Sequence, residues 1–192
     1  MEKISRKTTK LCSFYVSDWH LVTMILPYLN EEINKENKIV TLLESNIKEK
    51  VEMLVKKLNL KNSEQILDIN WNIVKTKKYL ELKNILNNES KSEKSITIMV
   101  NGTKKFIDNI GKNIERWMNQ NKSVENIKII NCYEITEFNY NITEILDEHD
   151  KILNTSGEKE KAEVFEGYEK GKKIVWKLRI DGNTKNKVDY LI

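Results

Sequence analysis

The residues of this chain that could do chemistry are few, and their spacing decides how much can be built from them. Histidine occurs twice, as His20 and His149, and cysteine twice, as Cys12 and Cys132. His149 sits between Glu148 and Asp150, and if the fold brought it against Cys132 the two would form a small polar or metal-binding site. The alternative, which the pattern favours, is a cysteine packed in a strand and a histidine at the end of a helix. Neither histidine lies in a metal-spaced motif and there is no CxxC pair, so no metal site and no cofactor are expected. The thiols lie far apart inside apolar runs, which suits reduced, buried side chains rather than a disulfide.

Phosphate chemistry is argued against by one segment. Tyr15-Val16-Ser17-Asp18-Trp19-His20, where a first strand passes into a first helix, contains no glycine. It can form neither the GxxxxGK[ST] cradle nor the GxGxxG turn, both of which need a backbone able to approach phosphates. Asn101-Gly102-Thr103 could hold an anion on free amides at the start of a later helix, although a turn and helix cap is the simpler reading. No Ser, His and Asp arrangement or carboxylate pair is fixed by spacing, so a non-catalytic protein is expected. Phe14, Tyr15, Trp19, Met24 and Tyr28 cluster near the first strand and helix, where they could line an apolar pocket or simply form core, the commoner use.

These side chains are positioned by an alternation of apolar runs. Leu11–Val16, Lys38–Glu44, Gln65–Ile69, Ser95–Val100 and Ile127–Tyr133 read as strands. Helical patterns follow each, through Leu21–Ile33, Ile47–Leu58, Val74–Leu86, Phe106–Met118 and Ile142–Leu153. Pro27 falls inside the first helix and should kink or divide it. The expected fold is α/β, a mostly parallel five-stranded sheet with helices on both faces, RecA- or Rossmann-like. Residues 1–154 would form this domain and 155–192 a β-rich extension of it. In that extension Val164–Tyr168, Lys173–Ile180 and Val188–Ile192 read as strands, with Asp181-Gly182 as a hairpin turn.

Composition bounds the partners. The chain has 33 Lys and Arg against 29 Asp and Glu, a net charge of +4, and the lysines alternate with glutamates along the helices, the pattern of a solvated surface. Only Arg6, Arg116 and Arg179 are arginines, scattered rather than striped, so nucleic-acid binding through the Lys-rich surface ranks second. The longest apolar stretches are too short to span a bilayer and the first ten residues have no apolar signal core, which predicts a cytoplasmic protein without membrane contact.

Four segments, in order from Lys10 to about Leu153, resemble the MEDS sensory domain, a family of methanogen and methylotroph sensors related in fold to RecA-like ATPases. Leu11-Cys12-Ser13-Phe14-Tyr15-Val16-Ser17 is similar to the family's strand ending in Phe-Tyr and a small polar residue. Leu26-Pro27-Tyr28-Leu29 resembles its Pro-aromatic step in the first helix. Ile129-Ile130-Asn131-Cys132-Tyr133-Glu134 resembles its strand with Cys and Tyr before an acid, and Ile145-Leu146-Asp147-Glu148-His149-Asp150 its helix ending in histidine. Lys10 stands where the family tends to have a histidine, and Asp150 where a proline often follows the late one. The resemblance implies a sensor without the ATPase loop. It would bind a small molecule at the carboxyl edge of its sheet, near Tyr15, Ser17, Trp19, Cys132 and His149, and signal through a protein partner or a homodimer.

Overall fold

The computed structural model describes residues 6–74, 78–91, 93–135, 142–166 and 168–170. Strand β1 (Lys7–Tyr15) leads through two residues into α1 (Asp18–Asn34), and β2 (Lys38–Leu43) follows. Three helices, α2 (Lys48–Leu58), α3 (Ser63–Asp68) and α4 (Tyr79–Glu89), separate β2 from β3 (Ser95–Gly102). Next come α5 (Lys104–Gln120), β4 (Asn126–Glu134), α6 (Ile142–Glu148), β5 (Lys151–Asn154), β6 (Gly157–Lys159) and α7 (Lys161–Val164). The strands form one six-stranded sheet in the order β2-β3-β4-β1-β5-β6, parallel throughout except for the antiparallel β5–β6 pair. This is the α/β architecture expected, with helices on both faces.

Parallel strands covered on two sides must be apolar on two sides, and β3 shows it, with every residue from Ile96 to Gly102 buried. Alternation along each strand divides the core. Leu11, Met99, Ile130 and Leu153 pack with α1, α2 and α3 on one face, while Phe14, Ile98, Ile129 and Ile152 pack with α4, α5 and α6 on the other. In α5 the apolar stripe Phe106, Ile107, Ile110, Ile114, Trp117 and Met118 recurs at helical spacing, and all six are buried. Its last turn is closed by Arg6, whose guanidinium donates to the carbonyls of Met118 and Asn121, with Nε 3.2 Å from that of Val124. A cation on the unpaired carbonyls of a helix end satisfies them and complements the dipole.

Three expectations are corrected. Gln65–Ile69 is not a strand; it lies largely within α3, where Ile66 is buried and Leu67 exposed. A run of so few apolar residues carries too little periodicity to separate the two states. The last core helix does not continue to Leu153: it stops at Glu148, and Lys151–Asn154 is a fifth parallel strand beside β1. Asp150 makes that break, its amide donating to the Lys10 carbonyl at 2.8 Å and its carboxylate accepting from the Lys10 amide at 2.7 Å. Val164–Tyr168 is not a strand either, since Lys161–Val164 is helical and Phe165 packs edge-on against Phe14.

Pro27 does not divide α1. It lies on the exposed face with Thr23, whose carbonyl, left without its helical donor, is within reach of water. The boundary after Asn154 falls in the turn between β5 and β6, so the extension begins as part of the same sheet. Lys173–Ile180, Asp181-Gly182 and Val188–Ile192 lie outside the described residues.

Candidate functional site

The strand order creates a switch point. The chain leaves β1 toward β2 at one edge and leaves β4 toward β5 on the other side of β1, so the connections diverge beyond the carboxyl ends of these neighbours. Tyr15, Ser17 and Trp19 lie at the end of β1 and the start of α1. Ser17 is the helix cap: its hydroxyl accepts from the His20 amide at 3.3 Å, and the His20 ring accepts in turn, through Nδ1, from the Val16 amide at 3.3 Å. With Nδ1 accepting, the proton of neutral His20 sits on Nε2, a buried atom with no hydrogen-bond partner among the described residues. Burial also holds the His20 pKa below its ordinary value. Trp19 is 44% exposed, so it presents its indole to the surface rather than to the core.

Behind this turn runs a chain of polar contacts across three strand ends. The Ser45 hydroxyl donates to Asn101 Oδ1 at 2.7 Å, and the Asn101 amide donates to the Tyr15 hydroxyl oxygen at 2.7 Å. Asn101 is fully buried, and burial pushes the Tyr15 pKa well above the ordinary tyrosine range despite the Asn101 bond. Tyr15 therefore stays protonated. Cys132 is near it in the same buried cluster, on the α1 side of the sheet, and burial likewise raises its thiol above the ordinary range. Cys12 faces the other cluster, with its thiol pushed up to about 12 by burial. Neither thiol is a nucleophile near neutral pH.

His149 is not part of this group. It precedes β5 on the opposite face of the sheet, where Nδ1 donates to the Ile145 carbonyl at 2.6 Å and Nε2 accepts from the Asn131 amide at 2.9 Å. Its ring meets Tyr133 edge-on. Burial lowers its pKa to about 4, so it is a neutral, hydrogen-bonded core histidine. Because Asn131 and Cys132 are consecutive strand residues, the side chain that holds His149 and the thiol of Cys132 point to opposite faces, and the shared site is not formed. Among the described residues no group of three or more His, Cys, Asp or Glu is placed to hold a metal. The aromatic group divides in the same way, Phe14 on one face and Tyr15, Met24 and Tyr28 on the other, as core.

Two of the helix starts at this edge, those of α1 and α5, carry their own acid. Asp18 occupies the first turn of α1 and pairs with Lys50 at 2.9 Å. At α5, Thr103 caps the Phe106 amide, while its own amide and hydroxyl both donate to Glu44, at 2.7 and 2.8 Å. The Glu44 carboxylate thus fills the place an anion would take. It also explains Gly102, where a Cβ would lie 2.6 Å from a Glu44 oxygen. The cap reading of Asn101-Gly102-Thr103 is correct, but the roles of Glu44, Ser45 and Asn101 escaped the sequence. Their only signal was a polar residue directly following the apolar runs of β2 and β3.

No family model, no curated protein and no solved structure matches this chain. The reading of its function therefore rests on the residues themselves. No described helix is long and apolar enough to cross a membrane.

Proposed function

We propose that the chain is a non-catalytic sensory or regulatory protein that binds a small organic molecule at the carboxyl edge of its sheet and signals through a protein partner, as the MEDS resemblance implies. The observation that carries this reading is the Ser45–Asn101–Tyr15 chain at the switch point. It ends in a buried, protonated hydroxyl on Tyr15, two residues before the capping Ser17 and four before the exposed indole of Trp19. An oriented hydroxyl beside an aromatic surface suits an uncharged or weakly polar ligand. Phosphorylated ligands are disfavoured at α1 and α5 because Asp18 and Glu44 already supply negative charge to these helix starts. His149 and Cys132 act as packing residues in this reading, leaving Tyr15, Ser17 and Trp19 as the contact set.

Nucleic acid remains the weaker reading. Several surface lysines are already tied to acids, Lys10 to Glu115, Lys38 to Glu89, Lys50 to Asp18 and Lys104 to Asp108, and the arginines are scattered rather than striped. A thermal-shift screen against uncharged organic compounds, nucleotides and short oligonucleotides tests the proposal, since anything that binds only the folded state raises its stability. The expected result is a stabilising organic compound whose effect, measured from each protein's own ligand-free midpoint, is lost in folded Tyr15→Phe and Trp19→Ala variants. Stabilisation confined to nucleotides or oligonucleotides, or an organic-compound shift unchanged in both variants, would overturn it.

A further inference from the structure

The sheet has an unfinished edge away from the site above. β2 is the outermost strand on its side, and its backbone bonds show which residues turn outward. Glu44 donates to the Asn101 carbonyl of β3 at 2.8 Å, whereas the Leu43 carbonyl accepts from Val74 at 2.8 Å. Even-numbered residues of β2 therefore bond β3, and Ile39, Thr41 and Leu43 direct their amides and carbonyls away from the sheet. Near Leu43 that edge is covered. The Asn70–Val74 segment forms a parallel bridge at Ile73, and the Thr41 hydroxyl donates to the Asn70 carbonyl at 2.5 Å.

Below that point the cover ends. A cleft of about 330 Å³ runs along Lys38–Thr41, walled by the end of α1, by α3 and by α4. Among the described residues the outward backbone groups of Ile39 and Thr41 have no backbone partner. An open edge is commonly blunted by a lysine, but Lys38 is tied to Glu89 at 3.2 Å. Asp68, exposed on the wall and in no ion pair among the described residues, is the carboxylate of the cleft that Lys38 does not balance. Ile33, Ile69 and Ile85 give its sides an apolar component.

A floor of strand donors and acceptors without backbone partners among the described residues, apolar sides and one carboxylate without an ion pair among them describe a particular occupant. We propose that this cleft is a peptide-docking site, in which an extended segment of a partner polypeptide adds to β2 as a further strand and sets a lysine or arginine against Asp68. Main-chain bonds to Ile39 and Thr41 supply affinity and the Asp68 contact supplies selection. The site lies along the amino-terminal half of β2, away from the carboxyl edge, and does not depend on the ligand-binding reading.

The test uses the intact protein and three capped pentapeptides: Lys-Val-Thr-Val-Lys, the same peptide N-methylated at both valines, and Glu-Val-Thr-Val-Glu. Amide NMR shifts are followed during titration. The lysine peptide is expected to give saturable shifts centred on Ile39 and Thr41, the other two little or none, and Asp68→Asn should weaken the lysine peptide up to about fivefold, the size of one exposed ion pair. Three results would overturn the proposal: no saturable shift at Ile39 and Thr41, equal binding of the N-methylated peptide, or amides there that resist hydrogen exchange in the free protein. In the third case, protection that grows with protein concentration would make the occupant a second copy, and protection independent of it would mean that the chain fills its own cleft.

Discussion

Glu32 is a carboxylate with no exposed surface, and the structure answers the cost of burying it with four donors. Lys128 reaches it at 3.0 Å, Thr97 at 3.0 Å, Asn37 at 2.9 Å and Lys35 at 3.1 Å. Burial pushes its pKa up, but the Lys128 and Lys35 ammoniums more than offset this and hold it below the ordinary carboxylate range. Lys128 also donates to Glu158 at 2.8 Å and to the Tyr28 hydroxyl at 2.8 Å, so one ammonium joins β4, α1 and β6. Replacing Lys128 by methionine would leave Glu32 charged and undercompensated. The expected loss is about 3 to 5 kcal/mol in urea unfolding, the range for breaking a buried pair from one side.

His149 gives the complementary prediction. Its native pKa of about 4 lies below the ordinary 6.5, so the unfolded chain binds the extra proton first as pH falls. Its contribution is fully present above about pH 6.5 and is lost as pH falls through 4, roughly 3 kcal/mol in all. Glu32, also depressed, adds a further loss below the ordinary carboxylate pKa. Urea midpoints from pH 7 to 4.5 should fall steadily in the parent and less steeply in a His149→Gln variant; parallel slopes would remove His149 as the cause.

At the scale of elements, the start of α5 depends on two residues far apart in sequence. Gly102→Ala would drive a methyl group into the Glu44 carboxylate and the Phe106 ring, 2.9 Å away, and displace the acid that satisfies Thr103. A destabilisation of about 1 to 3 kcal/mol is expected, the range for overpacking, and Glu44→Gly in the same chain, which removes both the carboxylate and the Cβ 2.7 Å away, should recover part of it. No recovery in the double variant would contradict the account of Gly102.

Strands β1, β2, β3 and β4 were legible because each is a short run dominated by apolar residues, broken only by single polar ones such as Ser13, Thr41, Thr97 and Lys128, and closed by polar or turn residues. The helix α5 was legible because six apolar residues keep one face. Elements that depend on partners were not. Lys151–Asn154 becomes a strand because Asp150 seizes Lys10 on β1, a contact about 140 positions away that no local pattern encodes. Gln65–Ile69 offered a few apolar residues with no period, and the segment that bridges β2 is instead the one around Ile73. The same limit applied to the site. Tyr15, Ser17 and Trp19 are consecutive enough to be read together, whereas the opposite orientations of Cys132 and of Asn131, which holds His149, follow from strand alternation applied to a register that only the sheet defines.

For the whole molecule, the two proposals fall on separate parts of one sheet: the carboxyl edge, with exposed Trp19 just after the turn that follows buried Tyr15, and the outer edge of β2 beside Asp68. The proposed regulator would use one for what it senses and the other for what it tells. The central claim is that the carboxyl edge binds an uncharged organic ligand through the Tyr15 hydroxyl. The most direct measurement is a calorimetric titration of the first stabilising organic compound into the parent and the Tyr15→Phe variant. The account predicts a binding constant about tenfold weaker in the variant, the upper size of one net hydrogen bond, together with a loss of about 1 to 3 kcal/mol in unfolding stability because the buried Asn101 amide loses its acceptor. Equal affinity in the two proteins would contradict it.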